Sequence, residues 1–397
     1  MENHLRVGVI GAGTMGAGIA QVAAQTGHPV VLYDTRNGAV EHALNALSGT
    51  LEKLVAKGKF TRPEADALLS RITPASTLDG LSGCGLTVEA IVEDLAIKKQ
   101  LFAALEEATA PGTILASNTS SLAITAIASA CKQPERVIGL HFFNPAPLMP
   151  LVEVVPGLLT SPTLPADCVE LMRAWGKVPV ICKDTPGFIV NRVARPFYGD
   201  SLRIFEEGIA DMAGIDHALK SEGGFRMGPF ELMDLIGNDI NLAVTRSVWE
   251  AMFFDPRYKP SLTQQRQVES GRLGRKTGRG YFDHTDPAST AVPNMDPAFA
   301  RSITERVLAM LINEAADALF LGVATKEDLD LAMIKGVNYP KGLLAWADEQ
   351  GAAHWVEVLN ALQADYGEDR YRASLLLRRM ARAGAAFSAG GEEPGVN

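Results

Sequence analysis

The sequence predicts an α/β domain built on a mostly parallel sheet, followed by an all-α domain. Three observations carry that prediction. Short apolar runs alternate with helix-period segments up to about Lys183. A glycine-rich turn joins the first run to the first helix, and strand signals largely cease after Asp184.

The elements follow in order. Val7-Gly8-Val9-Ile10 reads as a short buried strand that runs into Gly11-Ala12-Gly13-Thr14-Met15-Gly16 and a small-residue helix. Gly27 closes that helix, and Val30-Val31-Leu32-Tyr33 is a second strand ending at Asp34. Residues 43–75 break the rhythm and predict a helical hairpin, with Lys53, Lys57 and Lys59 on its polar side. Strands resume over 86–92, 113–117, 137–140 and 178–182, with a helix over 94–107. A helical domain begins after the turn Asp184-Thr185-Pro186-Gly187-Phe188.

That helical part contains an internal repeat. A shift of 114 positions, as from Gly208 to Gly322, superimposes Arg192-Val193 on Arg306-Val307 and Asp216 on Asp330. It also brings Gly228 onto Gly342, Asp234 onto Asp348 and Gly237 onto Gly351. Two tandem copies can bury each other's apolar faces. The Pro-, Asp- and Thr-rich stretch from His284 to Pro297 is the expected joint.

Composition narrows the function classes. A formal net charge of -9 disfavours nucleic acid as a partner. No apolar run reaches membrane-spanning length, and the glycine turn starts too early for a signal peptide to precede it. Cys84, Cys131, Cys168 and Cys182 are scattered without metal-ligand spacing. Reduced thiols, no metal and a cytoplasmic location are therefore expected.

Two anomalies mark the chemistry. His141 sits inside the apolar run Leu140-His141-Phe142-Phe143, and Glu153 inside Leu151-Val152-Glu153-Val154-Val155. A charge within a β-type segment needs a partner. The pair suggests a His–Glu dyad at the ends of neighbouring strands, suited to taking an alcohol proton as hydride leaves the same carbon. The glycine turn suits a Rossmann-type dinucleotide site. Gly11 makes the tight turn, Gly13 admits a pyrophosphate and Gly16 allows close helix–strand packing. Asp34 is placed to accept both adenosine ribose hydroxyls and to repel a 2′-phosphate, which favours NAD over NADP, with Arg36 close by.

With the glycine turn, Ser117-Asn118-Thr119-Ser120-Ser121-Leu122, His141-Phe142-Phe143-Asn144-Pro145, Leu151-Val152-Glu153-Val154-Val155 and Asp184-Thr185-Pro186-Gly187-Phe188-Ile189-Val190-Asn191-Arg192, the chain resembles the L-3-hydroxyacyl-CoA dehydrogenases. The resemblance extends through Met227-Gly228-Pro229-Phe230-Glu231-Leu232 and Gly274-Arg275-Lys276-Thr277-Gly278-Arg279-Gly280. It implies a Rossmann-type domain followed by tandem 3-hydroxyacyl-CoA dehydrogenase C-terminal domains. The expected division is 1–185 with the hairpin at 43–75, a first helical domain 186–283, a linker 284–300, a second repeat 301–384 and a flexible tail 385–397.

By that resemblance, His141 is the general base, Glu153 its partner, and Ser120 and Asn191 hold the substrate 3-oxygen. Thr14 and Met15 belong to the nucleotide turn, and Asp34, Glu93, Lys98, Asn144 and Lys276 contact NAD. The hairpin lysines meet the CoA phosphates. Gly58 stands where the family has a lysine, so Lys57 and Lys59 are both candidates.

The tandem arrangement, with Arg192-Val193-Ala194-Arg195-Pro196 and Asn338-Tyr339-Pro340-Lys341-Gly342, resembles the bacterial branch serving phenylacetate breakdown, which oxidises 3-hydroxyadipyl-CoA. The implied reaction is NAD-dependent oxidation of an (S)-3-hydroxyacyl-CoA thioester to the 3-oxoacyl-CoA. For a distal carboxylate, Arg195 and Arg226 are the candidate partners. The alternatives are a short-chain 3-hydroxybutyryl-CoA dehydrogenase, a β-hydroxyacid dehydrogenase acting on a free acid, and a non-catalytic NAD-binding protein. The repeat either replaces a homodimer or supports one; the residues leave that open.

Overall fold

The computed structural model describes residues 5–286, 293 and 295–389; parts of the expected linker and tail lie outside them. The chain divides into two compact units, Met1–Phe188 and Ile189–Asn397.

The first unit is an eight-stranded sheet with helices on its faces. In chain order it runs β1 (Val7–Ile10), α1 (Thr14–Gln25), β2 (Val30–Tyr33), α2 (Ala39–Ala56), α3 (Arg62–Ser70) and β3 (Ile72–Ala75). Then come β4 (Leu86–Glu89), α4 (Leu95–Ala108), β5 (Ile114–Ser117), α5 (Ile124–Ala128), β6 (Val137–Phe142), β7 (Leu151–Pro156), α6 (Leu164–Ala174) and β8 (Val178–Ile181). The strand order is β3-β2-β1-β4-β5-β6-β7-β8. All neighbours are parallel except β6 and β7. The central strands are apolar at nearly every position because helices cover both sheet faces. The order reverses between β1 and β4, which opens a crevice beyond their carboxyl ends.

Two elements differ from the sequence reading by three residues or more. The hairpin expected over 43–75 begins at Ala39 and ends at Ser70, and Ile72–Ala75 forms β3, parallel to β2. Pro74 hides that strand in the sequence; a proline is tolerated because β3 lies at the sheet edge. The strand expected to reach residue 92 stops at Glu89, whose carboxylate accepts the Ile91 amide at 2.7 Å.

The second unit has no named strand among its described residues. It comprises α7 (Val190–Val193), α8 (Arg195–Glu206), α9 (Met212–Ser221), α10 (Pro229–Ile236), α11 (Asn238–Ala251) and α12 (Leu262–Glu269). After the joint come α13 (Pro297–Phe320), α14 (Lys326–Gly336), α15 (Leu343–Gln350), α16 (Ala352–Tyr366) and α17 (Leu375–Ala383). From Val307 to Ala316 every residue of α13 is buried, so it forms the centre of this unit rather than an amphipathic surface helix.

The positions related by 114 perform equal tasks. Asp216 accepts the Phe230 and Glu231 amides, both at 2.9 Å, and Asp330 accepts those of Leu344 and Ala345 at 2.8 and 3.1 Å. A Cβ on Gly228 would fall 2.3 Å from the Asp216 side chain, and one on Gly342 would fall 2.2 Å from that of Asp330. The helix-opening aspartate motif needs glycine in both copies.

Candidate active site

His141 is buried near the end of β6, and Glu153 lies directly opposite it on β7. Their side chains meet with Nδ1 2.6 Å from Oε2. A carboxylate only accepts, so Nδ1–H donates and the lone pair is left on Nε2. Nε2 has no hydrogen-bond partner among the described residues. The imidazole packs against Phe143 at 4.4 Å and Phe188 at 5.9 Å between ring centroids. Phe188 has φ +50, a region that side-chain-bearing residues seldom adopt, so the packing around it holds a strained backbone beside the dyad.

The surrounding loops are tied down by side chains. Asn118 Oδ1 accepts the Phe142 amide at 2.8 Å, which joins the loop after β5 to the end of β6. Lys177, buried, donates to the carbonyls of Ala146 and Met149 at 2.5 and 2.9 Å and so fixes the loop beyond the exposed Asn144. Asp184 accepts the Ile124 and Thr125 amides at 2.9 and 2.7 Å, anchoring the start of α5.

Ser120 sits in a loop gathered around Glu93. That carboxylate accepts Thr119 Oγ1 at 2.6 Å, the Ser120 amide at 3.0 Å, and the Ser121 amide and hydroxyl at 3.1 and 2.9 Å. Burial opposes ionisation of Glu93, but the Lys98 charge and these donors outweigh it and hold its carboxyl below the usual range. Lys98 itself is fully buried, 2.5 Å from Glu89 and 3.3 Å from Glu93. Glu89 also accepts Ser117 Oγ at 2.7 Å. The ends of β4 and β5 and the Ser120 loop therefore share one ionic network.

The glycine turn lies at the β1 carboxyl end. Gly11 has φ +100, and a Cβ on Gly16 would fall 1.7 Å from the Gly11 carbonyl oxygen. At Gly13 a Cβ would meet nothing within 4 Å. Gly13 caps α1 without a side chain, so the first-turn amides have no side-chain acceptor there. Asp34 accepts the Ala12 amide at 2.8 Å and the Arg36 guanidinium at 2.9 and 3.0 Å. The bond to Arg36 lowers its carboxyl to about 2 against the opposing effect of burial. A cavity of about 890 Å³ adjoins this turn, lined by residues that include Ala12, Thr14, Arg36, His42, Pro147 and Leu148. Open amides, an unfilled glycine and an ionised aspartate at a strand end fit a dinucleotide.

The first unit thus brings together His141 with Glu153, Ser120 with Glu93 and Lys98, and the turn residues Gly11, Gly13, Thr14, Met15 and Gly16 with Asp34. Lys57 and Lys59 are exposed on either side of Gly58, at the α2–α3 turn. Asn191 and Lys276 belong to the second unit, Asn191 in α7 and Lys276 paired with Asp239 at 2.6 Å. Sequence reasoning missed Glu89, Asn118 and Lys177. Glu89 carried a readable signal, a charge inside Leu86-Thr87-Val88-Glu89, the same signature that exposed Glu153.

The comparisons with known proteins accord with this geometry. The model for the 3-hydroxyacyl-CoA dehydrogenase NAD binding domain matches residues 6–185. The C-terminal domain model of the same family matches twice, at 187–284 and 303–394. The 3-hydroxyadipyl-CoA dehydrogenase of Escherichia coli (strain K12) is 41% identical over 96% of this chain and 98% of its own. The 3-hydroxybutyryl-CoA dehydrogenase of Clostridioides difficile is 42% identical over 70% of this chain and 99% of its own. A crystal structure of 3-hydroxybutyryl-CoA dehydrogenase from Escherichia coli K12 superimposes with a TM-score of 0.90 at 40% identity, covering 96% of this chain and 98% of that one. The chain belongs to the 3-hydroxyacyl-CoA dehydrogenase family and is an NAD-dependent oxidoreductase of 3-hydroxyacyl-CoA thioesters.

Proposed function

We propose that this enzyme oxidises (S)-3-hydroxyadipyl-CoA to 3-oxoadipyl-CoA, within phenylacetate breakdown, using His141 as the general base. The observation that carries the mechanism is the 2.6 Å bond from His141 Nδ1–H to Glu153, which leaves Nε2 as the proton acceptor. Nε2 takes the 3-hydroxyl proton as the C3–H electron pair departs and the carbonyl forms. The glycine turn and Asp34 would hold NAD, which would supply the hydride acceptor. Glu153 keeps the imidazole oriented and stabilises the imidazolium.

Ser120 and Asn191 hold the 3-oxygen. Gly11, Gly13, Thr14, Met15 and Gly16 receive the pyrophosphate, Asp34 reads the adenosine ribose, and Glu93, Asn144 and Lys276 contact the dinucleotide. Lys98 acts through Glu93, since its ammonium is buried against two carboxylates. Lys57 and Lys59, both exposed, meet the CoA phosphates. The domain division is 1–185, 186–283, 284–300, 301–384 and 385–397, supported by the two separate matches of the C-terminal domain model. A cytoplasmic location agrees with the four cysteines being free thiols.

The 3-hydroxyadipyl substrate is favoured by a relative of that name that spans nearly the whole chain. A short-chain 3-hydroxybutyryl-CoA activity is the second reading, favoured by the structure of that name with equal coverage. Initial rates of NADH oxidation with 3-oxoadipyl-CoA and acetoacetyl-CoA separate them. A much higher kcat/KM for the dicarboxylate supports the proposal; a preference for acetoacetyl-CoA replaces it with the short-chain reading.

A further inference from the structure

We infer that Arg195 is the residue that receives the distal carboxylate of a dicarboxylic acyl chain, an assignment that rests on the 3-hydroxyadipyl reading above. Arg195 opens α8, one helical turn beyond Asn191, and is 6% exposed. Its Nη1 donates to Thr245 Oγ1 at 3.1 Å, and its guanidinium lies over the Tyr198 ring at 4.9 Å. Nε has no partner, and among the described residues no carboxylate lies within ion-pair distance.

The other buried arginines of this unit are all matched to anions. Arg192 meets Glu314 at 2.6 Å, Arg306 meets Glu207 at 2.7 Å and Arg370 meets Asp200 at 2.8 Å. Arg195 alone among these four is a buried cation without a counter-ion, a state that costs stability unless an anion arrives from elsewhere. Burial accordingly pushes its guanidinium down from the usual range.

The neighbourhood suits a carboxylate carried on a methylene chain. Tyr339, buried, has a hydroxyl without a hydrogen-bond partner, close enough to act electrostatically on Arg195. Its ring packs against Phe197 at 5.7 Å and Phe225 at 5.0 Å, and Phe225 stacks on Trp346 at 5.8 Å. An apolar aromatic wall and a forked donor in one place can hold methylenes and bind a carboxylate bidentately. Arg226, the other arginine suggested by the sequence, is exposed, so water already solvates its charge. The open donors at Arg195 distinguish the two.

The test compares 3-oxoadipyl-CoA with 3-oxohexanoyl-CoA, which has the same six carbons and a neutral end, on the full chain and on Arg195→Met, Arg195→Lys and Tyr339→Phe. The wild type prefers the dicarboxylate. In Arg195→Met, kcat/KM for 3-oxoadipyl-CoA falls about 100-fold or more, mainly through KM, while 3-oxohexanoyl-CoA changes less than about threefold. Arg195→Lys recovers part of the preference, and Tyr339→Phe loses part of it. If Arg195→Met does not fold, the lysine and tyrosine variants decide by the same ratio. Equal losses on both substrates, or a preference retained in the variants, overturn the role of Arg195 and leave the substrate assignment standing. A wild type without preference for the dicarboxylate removes both.

Discussion

His141 and Glu153 are a directly opposed cross-strand pair on antiparallel β6 and β7, and that register puts Nδ1 2.6 Å from Oε2. Opposed Cβ atoms in such a pair lie about 5 Å apart, so an imidazole and a carboxylate can meet without strain. A slip of one residue would turn one side chain to the other face of the sheet. The dyad is therefore a property of register. His141→Gln lowers kcat by about 10³-fold or more while NAD binding, followed by fluorescence titration, persists. Glu153→Gln lowers kcat severely and alters the pH–rate profile. A near-normal rate in the first variant, or an unchanged profile in the second, would remove the dyad from the mechanism.

The two glycines of the nucleotide turn predict opposite outcomes. Gly16→Ala forces a Cβ to 1.7 Å from the Gly11 carbonyl oxygen, so the turn must distort and thermal stability falls. Gly13→Ala meets nothing within 4 Å and keeps an extended backbone that alanine accepts. Its unfolding temperature stays close to wild type while the KM for NAD rises at least about tenfold, because the methyl occupies the pyrophosphate approach. Equal Tm losses in the two variants would contradict this division.

Asp34 links cofactor choice to pH. Its folded-state carboxyl is lowered from 3.8 to about 2, through the Arg36 bond first and against burial. A lowered acid stabilises the fold above its unfolded value, and that contribution disappears as pH falls through the folded value. Acid unfolding of Asp34→Asn should therefore diverge from wild type above about pH 4 and converge with it toward pH 2. The same variant relaxes the preference for NAD over NADP in kcat/KM; unaltered selectivity would show that Asp34 does not read the ribose.

Lys98 and Glu89 form an ion pair that is essentially inaccessible to water. Lys98→Met strands a buried carboxylate and costs about 3–5 kcal/mol in urea unfolding. Lys98→Met combined with Glu89→Gln recovers a large part of that loss, because both charges leave together. Additive losses in the double variant would show that the pair is not coupled.

In the helical unit, ion pairs cross between the two copies of the repeat. Glu314 receives Arg192 at 2.6 Å and Arg257 at 3.2 Å, together with the Tyr258 hydroxyl. Asp200, the counterpart of Glu314 in the first copy, receives Arg370 at 2.8 Å. Each copy thus neutralises cations of the other. Glu314→Ala removes the nearest anion of buried Arg192 and one of three carboxylates around Arg257, and destabilises the chain by more than about 3 kcal/mol, read by denaturant titration. A change below about 1 kcal/mol would mean that Asp317, 3.1 Å from both arginines, suffices.

The sequence by itself determined the alternation of strands and helices, the glycine turn ending at Asp34, and the anomalous His141 and Glu153, because each is a local pattern of polarity or backbone demand. Repeat spacing was equally legible, since Asp216 and Gly228 recur as Asp330 and Gly342 wherever the same helix opening is built. Only the tertiary structure decided that β6 and β7 run antiparallel with His141 opposite Glu153, that Lys98 serves Glu89 and Glu93, and that Arg195 rather than Arg226 is buried without an anion. Those facts depend on register, on strand order and on which side chains lose their water. Such properties arise between segments far apart in the chain and leave no periodic trace within any one of them.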